Sequence, residues 1–127
     1  MVLSNNLGVG VDIESINRFE EVKLVKDEIF LNKIYTEEEI DYCFSKKNPA
    51  QHLAARFAGK EAVVKALNCL EYRFSDFKKI EISNNQDGVP IVRINQPDFK
   101  NMSIIISLSH CEDKAIAFAV AEKNAKI

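Results

Sequence analysis

The chain has 127 residues, with 17 Lys or Arg against 19 Asp or Glu, a formal net charge of −2, and 46% hydrophobic residues. One modest core fits that length, at a size where oligomerisation commonly helps, and the charge balance gives no general pull toward nucleic acid or acidic membranes. No run is apolar and long enough to span a bilayer, the start Met1-Val2-Leu3-Ser4-Asn5-Asn6 lacks the profile of an export signal, and Cys43, Cys69 and Cys111, odd in number and widely spaced, read as the reduced thiols of a cytoplasmic protein.

In chain order, Leu7-Gly8-Val9-Gly10-Val11-Asp12-Ile13 is an apolar, β-branched run ending in a carboxylate. It predicts a strand. Asp12 there either caps the helix expected from near Ser15 or offers oxygen to a hard cation such as Mg²⁺. Ile16, Phe19 and Leu24 give a weak helical pattern to about Lys26, and a short helix is expected over Ile29 to Ile34. Thr36-Glu37-Glu38-Glu39 is a capping box, starting a helix that runs to about Ser45. Pro49 then separates it from a long central helix, roughly Ala50 to Leu67.

That central helix carries its charges on an unusual side. At about 100° per residue, Leu53, Phe57, Val64 and Leu67 form one stripe with Lys60 inside it. Arg56 flanks the stripe on one side and Glu61 and Lys65 on the other, while Ala55, Ala58, Ala62 and Ala66 make a ridge suited to close packing. Charges next to a buried stripe require one another or an anionic, metal-bearing ligand. One arrangement has Lys60 and Arg56 snorkelling and Glu61 paired with Lys65. The other has them meeting a ligand.

Beyond the helix, Phe77 to Ser83 alternates as a strand, Gln86-Asp87-Gly88 turns, and Val89 to Ile94 returns. Ser103 to Ser109 and Ala115 to Ala121 predict a second hairpin, joined through Cys111-Glu112-Asp113-Lys114. The first of these strands runs through Ser107-Leu108-Ser109 to His110, which can donate to a phosphate oxygen or sit half-exposed in a turn. Neither repeats nor a low-complexity linker divide the chain, so 1–127 is one domain. The class is α+β, an antiparallel sheet with helices packed on one side.

Gly10-Val11-Asp12, then Arg56-Phe57-Ala58-Gly59-Lys60-Glu61-Ala62 with Lys65, then Ser107-Leu108-Ser109-His110, resemble in order and nearly end to end the holo-acyl-carrier-protein synthases, the small 4'-phosphopantetheinyl transferases. The resemblance implies transfer of the phosphopantetheine arm of coenzyme A to a serine of an apo acyl carrier protein, releasing adenosine 3',5'-bisphosphate, with Mg²⁺ required. The expected setting is fatty acid or related lipid or polyketide biosynthesis. Asp12 and Glu61 would hold the metal, and Lys65 would neutralise or protonate the leaving phosphate. The resemblance gives Arg56, Lys60 and His110 contacts to the coenzyme's phosphates, and Gly88 and Pro90 contacts near its adenine end. The serine proton would go to water on the metal or to a carboxylate such as Glu61, and the residues leave both open.

The resemblance also implies a homotrimer with active sites between subunits. It further implies an acidic carrier helix meeting Arg18, with Lys23 and Lys26 continuing a basic side that Glu20 and Glu21 interrupt. The chain departs from the family in three places: no glycine-rich turn follows Lys65, the connection from Asn95 to Ser103 is short, and the acid usually three places after the first aspartate is Ser15, with Glu14 one step early. Two other classes fit parts of the pattern. One is a trimeric binding module without activity, and the other is Mg²⁺-dependent hydrolysis of a nucleotide pyrophosphate.

Overall fold

Alternation governs the first element of the computed structural model, which describes residues 6–124. In β1, Leu7–Ser15, Gly8 and Gly10 are buried and Asp12 and Glu14 face the same inner side, while Leu7, Val9, Val11 and Ile13 are exposed on the other. The stretch Met1-Val2-Leu3-Ser4-Asn5, read above for an export signal, lies outside the described residues.

The helix expected from Ser15 to Lys26 shrinks to one 3-10 turn, Ile16–Phe19, and no side chain caps it. Asp12 therefore is not a helix cap. Glu20, Glu21 and Lys23 offer no apolar side to bury, and the Asp27 carboxylate accepts from the Lys23 amide at 2.8 Å, bending the chain into turns. Helix α1, Glu28–Ile34, buries only Leu31. Helix α2, Glu37–Phe44, opens on the expected capping box, with Glu39 N–H donating to Thr36 Oγ1 at 3.2 Å and Thr36 N–H to Glu39 Oε1 at 2.8 Å.

Helix α3, Pro49–Cys69, begins with proline in its first turn, where no amide partner is lost. Its small-residue ridge meets β1. A Cβ placed on Gly8 would strike the Ala66 carbonyl and one on Gly10 the Ala62 carbonyl, so the two glycines let the strand lie directly on the helix. Strand β5, Lys114–Lys123, continues the same logic with Ala115, Ala117, Ala119 and Ala121 turned toward the core and fully buried.

Strands β2, Ile80–Asn84, and β3, Pro90–Ile94, pair antiparallel as a separate hairpin, and the start expected at Phe77 is a 3-10 turn over Phe77–Lys79. Strand β4, Met102–Cys111, pairs antiparallel with β5, and the order of the larger sheet is β1-β5-β4. The single sheet of the sequence reading is therefore two. Helices pack on one side only. On the other side of the three-stranded sheet Leu7, Val9, Val11, Ile13, Ile105, Ile116 and Phe118 remain exposed, from 40% to 69%.

Candidate functional site

Strand β1 and helix α3 bring Asp12, Glu61 and Lys65 together. Lys65 Nζ donates to the Val11 carbonyl at 3.0 Å and to Asp12 Oδ1 at 3.3 Å. The lysine thus reaches across to the strand rather than back to Glu61. Asp12 Oδ2 is buried and has no hydrogen-bond partner. Burial raises the Glu61 carboxyl above its ordinary 4.5, the charge of Asp12 pushes it further, and Lys65 opposes both.

Glu14 joins this group, which the sequence reading treated only as a displaced acid. Two residues beyond Asp12, it shares that residue's face by the strand period. Burial first, then neighbouring Asp12, raises its carboxyl above 4.5, while Arg18, paired to it at 2.6 Å, pulls the other way. Crowded carboxylates with one buried, unpartnered oxygen are what a divalent cation relieves. No three-ligand set of His, Cys, Asp or Glu exists among the described residues. Mg²⁺ commonly takes one or two carboxylates and fills its remaining positions with water and phosphate oxygens.

A second group lies between α2, α3 and the β2-β3 hairpin. Arg56 is 3% exposed, its Nη2 donates to Asn84 Oδ1 at 2.6 Å, and its Nε is buried without a partner. Asn84 in turn donates from Nδ2 to the Gly88 carbonyl at 3.0 Å, so one amide links the helix cation to the hairpin turn. Gly88 has φ +82, the left-handed conformation that selects glycine, and Pro90 faces Asn84 in the register. Tyr42 packs under the cations, 4.2 Å from the Arg56 guanidinium and 4.6 Å from Lys46 Nζ, with the His52 ring edge-on. Burial, then Arg56 and Lys46, lowers the His52 pKa. Sequence reading missed Asn84 and assigned His52 nothing. The Asn84-Asn85 pair before the turn was the available signal for Asn84.

His110 is exposed near the end of β4, its Nε2 3.1 Å from Gln51 Nε2 at the start of α3. Lys60 stands elsewhere. It is fully buried, and Nζ donates to Glu39 Oε1 at 2.8 Å, to the Phe77 carbonyl at 2.9 Å and to the Ile80 carbonyl. An ammonium has three protons and all are taken, so the expected phosphate contact of Lys60 is not made by this geometry. The apolar stripe around Lys60 is the reason: it packs inward, with Leu53 and Leu67 fully buried and Phe57 and Val64 half-buried.

The missing glycine turn is also accounted for. The helix ends through Glu71, whose φ of 67 is the left-handed position usually given to glycine, with Tyr72 N–H donating to the Leu67 carbonyl at 2.9 Å. A non-glycine residue there costs about 1 kcal/mol. Glu71→Gly is expected to stabilise the fold by several tenths of a kcal/mol up to about 1 kcal/mol, glycine's looser unfolded chain offsetting part of the relief. Chemical denaturation checks this, and a lowered midpoint would show the turn does not need glycine.

Arg56 and Lys60 occupy one side of α3, and Glu61 and Lys65 lie about 140° further round it. The chain therefore presents two partial sites. Comparison with known proteins bears on the chain as a whole. The profile of the 4'-phosphopantetheinyl transferase superfamily matches residues 8–119. The holo-[acyl-carrier-protein] synthase of Thermodesulfovibrio yellowstonii is 50% identical over 113 residues, 89% of this chain and 96% of that protein. The crystal structure of the Helicobacter pylori holo-[acyl-carrier-protein] synthase in complex with coenzyme A aligns with a TM-score of 0.75 at 34% identity, covering 90% of this chain and 99% of that one. The Bacillus anthracis holo-(acyl-carrier-protein) synthase in complex with CoA (3',5'-ADP) aligns at 0.74 with 30% identity over 92% and 96%.

Proposed function

Because the chain belongs to the 4'-phosphopantetheinyl transferase superfamily, we propose that it transfers the phosphopantetheine arm of coenzyme A to a serine of an apo acyl carrier protein in a Mg²⁺-dependent reaction. The observation that carries the reading is the Asp12 carboxylate, half satisfied by Lys65 and half buried without a partner, facing a second carboxylate at Glu61. The serine oxygen forms a bond to the phosphorus bearing the pantetheine, the bond from that phosphorus to the bridging pyrophosphate oxygen breaks, and adenosine 3',5'-bisphosphate departs. Such a transfer requires position and countercharge more than covalent chemistry.

Asp12 and Glu61 would hold Mg²⁺, which when bound supplies positive charge to the pyrophosphate oxygens. Lys65, its side chain 52% exposed beside Asp12, would neutralise or protonate the leaving phosphate. The serine proton would go to water or to a carboxylate such as Glu61. Arg56, with an unpartnered Nε, and His110 would receive the coenzyme's phosphates, and the Gly88 to Pro90 turn its adenine end.

The two partial sites become one if neighbouring copies complete each other. The exposed apolar face of the three-stranded sheet supports association, since patches of that kind mark interfaces, and a homotrimer is the assembly proposed. Arg18, with Lys23 and Lys26, would meet the acidic carrier helix, and the neighbouring Val25 and Ile29, 84% and 76% exposed, supply apolar contact. Three free cysteines fit a reducing cytoplasm, and no helix among the described residues is long and apolar enough to cross a membrane. Fatty acid biosynthesis is the proposed setting.

Intact mass spectrometry of an apo carrier protein incubated with this protein, coenzyme A and Mg²⁺ tests the reaction. The expected result is a mass gain of one phosphopantetheine arm, abolished by EDTA. No gain with several carrier proteins, despite measurable coenzyme binding, would overturn transfer in favour of a binding module, and coenzyme breakdown without carrier would favour hydrolysis.

A further inference from the structure

Glu39 and Lys60 form a charge pair whose side chains are 1% and 0% exposed. The pair is saturated. Glu39 Oε1 accepts from Thr36 N–H at 2.8 Å and from Lys60 Nζ at 2.8 Å, and Oε2 accepts from Ile82 N–H at 2.8 Å. Lys60 gives its other protons to the Phe77 and Ile80 carbonyls. Thus one ion pair ties together the start of α2, the middle of α3 and the start of β2.

The β2-β3 hairpin has no ladder to the larger sheet, so its distance from α3 rests on side-chain contacts, the apolar packing of Ile80 and Ile82 on α3 and this ion pair. Stability alone is a poor reason for such a pair. Desolvating two charges offsets most of their attraction, and apolar residues of similar volume often hold a core as well or better. What an ion pair adds is a fixed register. One turn before Lys60 on the same side of α3 stands Arg56, bonded to Asn84 of β2 at 2.6 Å. Beside Arg56 is a cleft of about 190 Å³, lined among others by Tyr42, Arg56 and Asn84 and by Glu38, Glu39 and Glu81.

We propose that Glu39 and Lys60 are positioning residues that fix the spacing between α3 and the hairpin at which Arg56 and the Asn84 to Gly88 turn converge on the anionic end of coenzyme A. The inference rests on the coenzyme reading above and assigns neither residue a contact with the ligand.

The sign of one substitution separates this from direct contact. If Lys60 met a phosphate itself, Glu39→Gln would free the ammonium and remove a negative charge near an anion, and coenzyme binding would hold or tighten. Positioning requires it to weaken. Titration calorimetry with coenzyme A and no carrier protein, with thermal melting alongside, is run on wild type, Glu39→Gln, Glu39→Asp and the double variant Glu39→Gln/Lys60→Met. Single removal of one partner strands a buried charge and threatens folding, whereas the double variant leaves none and Glu39→Asp keeps the charge but is one methylene too short to span its partners.

All folded variants are expected to bind coenzyme A about tenfold or more weakly, since loss of one hydrogen bond to a charged group weakens binding by about that factor. The Michaelis constant for coenzyme A should rise while that for carrier protein stays put, a split that a purely structural role would not give. Unchanged or tighter binding in Glu39→Gln or Glu39→Asp would overturn the proposal in favour of direct contact, and wild-type affinity in the double variant would leave the pair a structural feature only. Wild-type protein that binds no coenzyme A would instead defeat the coenzyme reading, a failure visible before any variant is made.

Discussion

Asp12→Asn is expected to lower turnover by about 10²- to 10³-fold while leaving the fold intact. Charge stabilisation of a phosphoryl oxygen by a metal is worth several kcal/mol, and about 1.4 kcal/mol is a factor of ten in rate. The amide matches the carboxylate in shape but removes the charge that would hold the cation. Stability should move the other way. Without divalent ions, Asp12 repels Glu14 and Glu61, and both of those carboxyls are held above their ordinary 4.5 by burial first and by Asp12 next. A carboxyl raised in the folded state favours folding below its unfolded pKa, and that contribution is lost as pH rises through the folded value. The metal-free wild type should therefore lose stability from these groups as pH rises above 4.5. Mg²⁺ should raise its melting temperature by less as pH falls and the carboxyls take up protons. Asp12→Asn should melt no lower than wild type without metal and should show little Mg²⁺ shift. Retained turnover, or an undiminished Mg²⁺ shift in the variant, would remove Asp12 from the metal site.

The sequence made some of this site legible and concealed the rest for a physical reason. Spacing along one helix places Arg56, Lys60, Glu61 and Lys65 on definite sides, because side-chain direction follows from the helical period alone. Strand period likewise puts Glu14 beside Asp12, a consequence that attention to family spacing obscured. What spacing cannot give is the depth of each side. Lys60 itself is fully buried, so its charge is consumed by Glu39 from another helix, and a capping-box glutamate carries no sign that its second oxygen will serve Ile82. Asn84 is in the same class: its link from Arg56 to Gly88 depends on the hairpin folding over α3, a contact between positions 28 residues apart. The fold was legible where pattern is local, as in the capping box at Thr36 and the alanine alternation of β5. It was misread where a weak apolar pattern, Ile16 and Phe19, had too little further apolar surface to extend a helix.

Gly10→Ala should be among the most damaging single-methyl changes in the chain. In an ordinary strand this substitution is favourable, by roughly 0.5–1 kcal/mol, because glycine is the poorer strand residue. Here the added methyl would overlap the Ala62 carbonyl and come within 2.8 Å of the Ala66 nitrogen and 2.9 Å of the Lys65 Cβ. Two of these three neighbours are backbone atoms of a buried helix, and no rotamer change moves them. The strand must lift from α3, opening the packing that Gly8 and Gly10 share with Ala62 and Ala66. Overpacking of this kind costs about 3 kcal/mol, which for a domain of this size lowers the melting temperature by roughly 10 °C. Gly88→Ala is the informative comparison, since its methyl would meet nothing within 4 Å and only its positive φ is strained. That strain costs about 1 kcal/mol. The larger effect of Gly10→Ala should also reach the chemistry: Asp12 lies two residues along the lifted strand, so turnover per folded molecule should fall even where the variant is fully folded. Thermal melting and turnover measured together check both parts. A Gly10→Ala protein melting within a degree or two of wild type would show that β1 can leave the helix freely, and the register of Asp12 against Glu61 would then need another anchor.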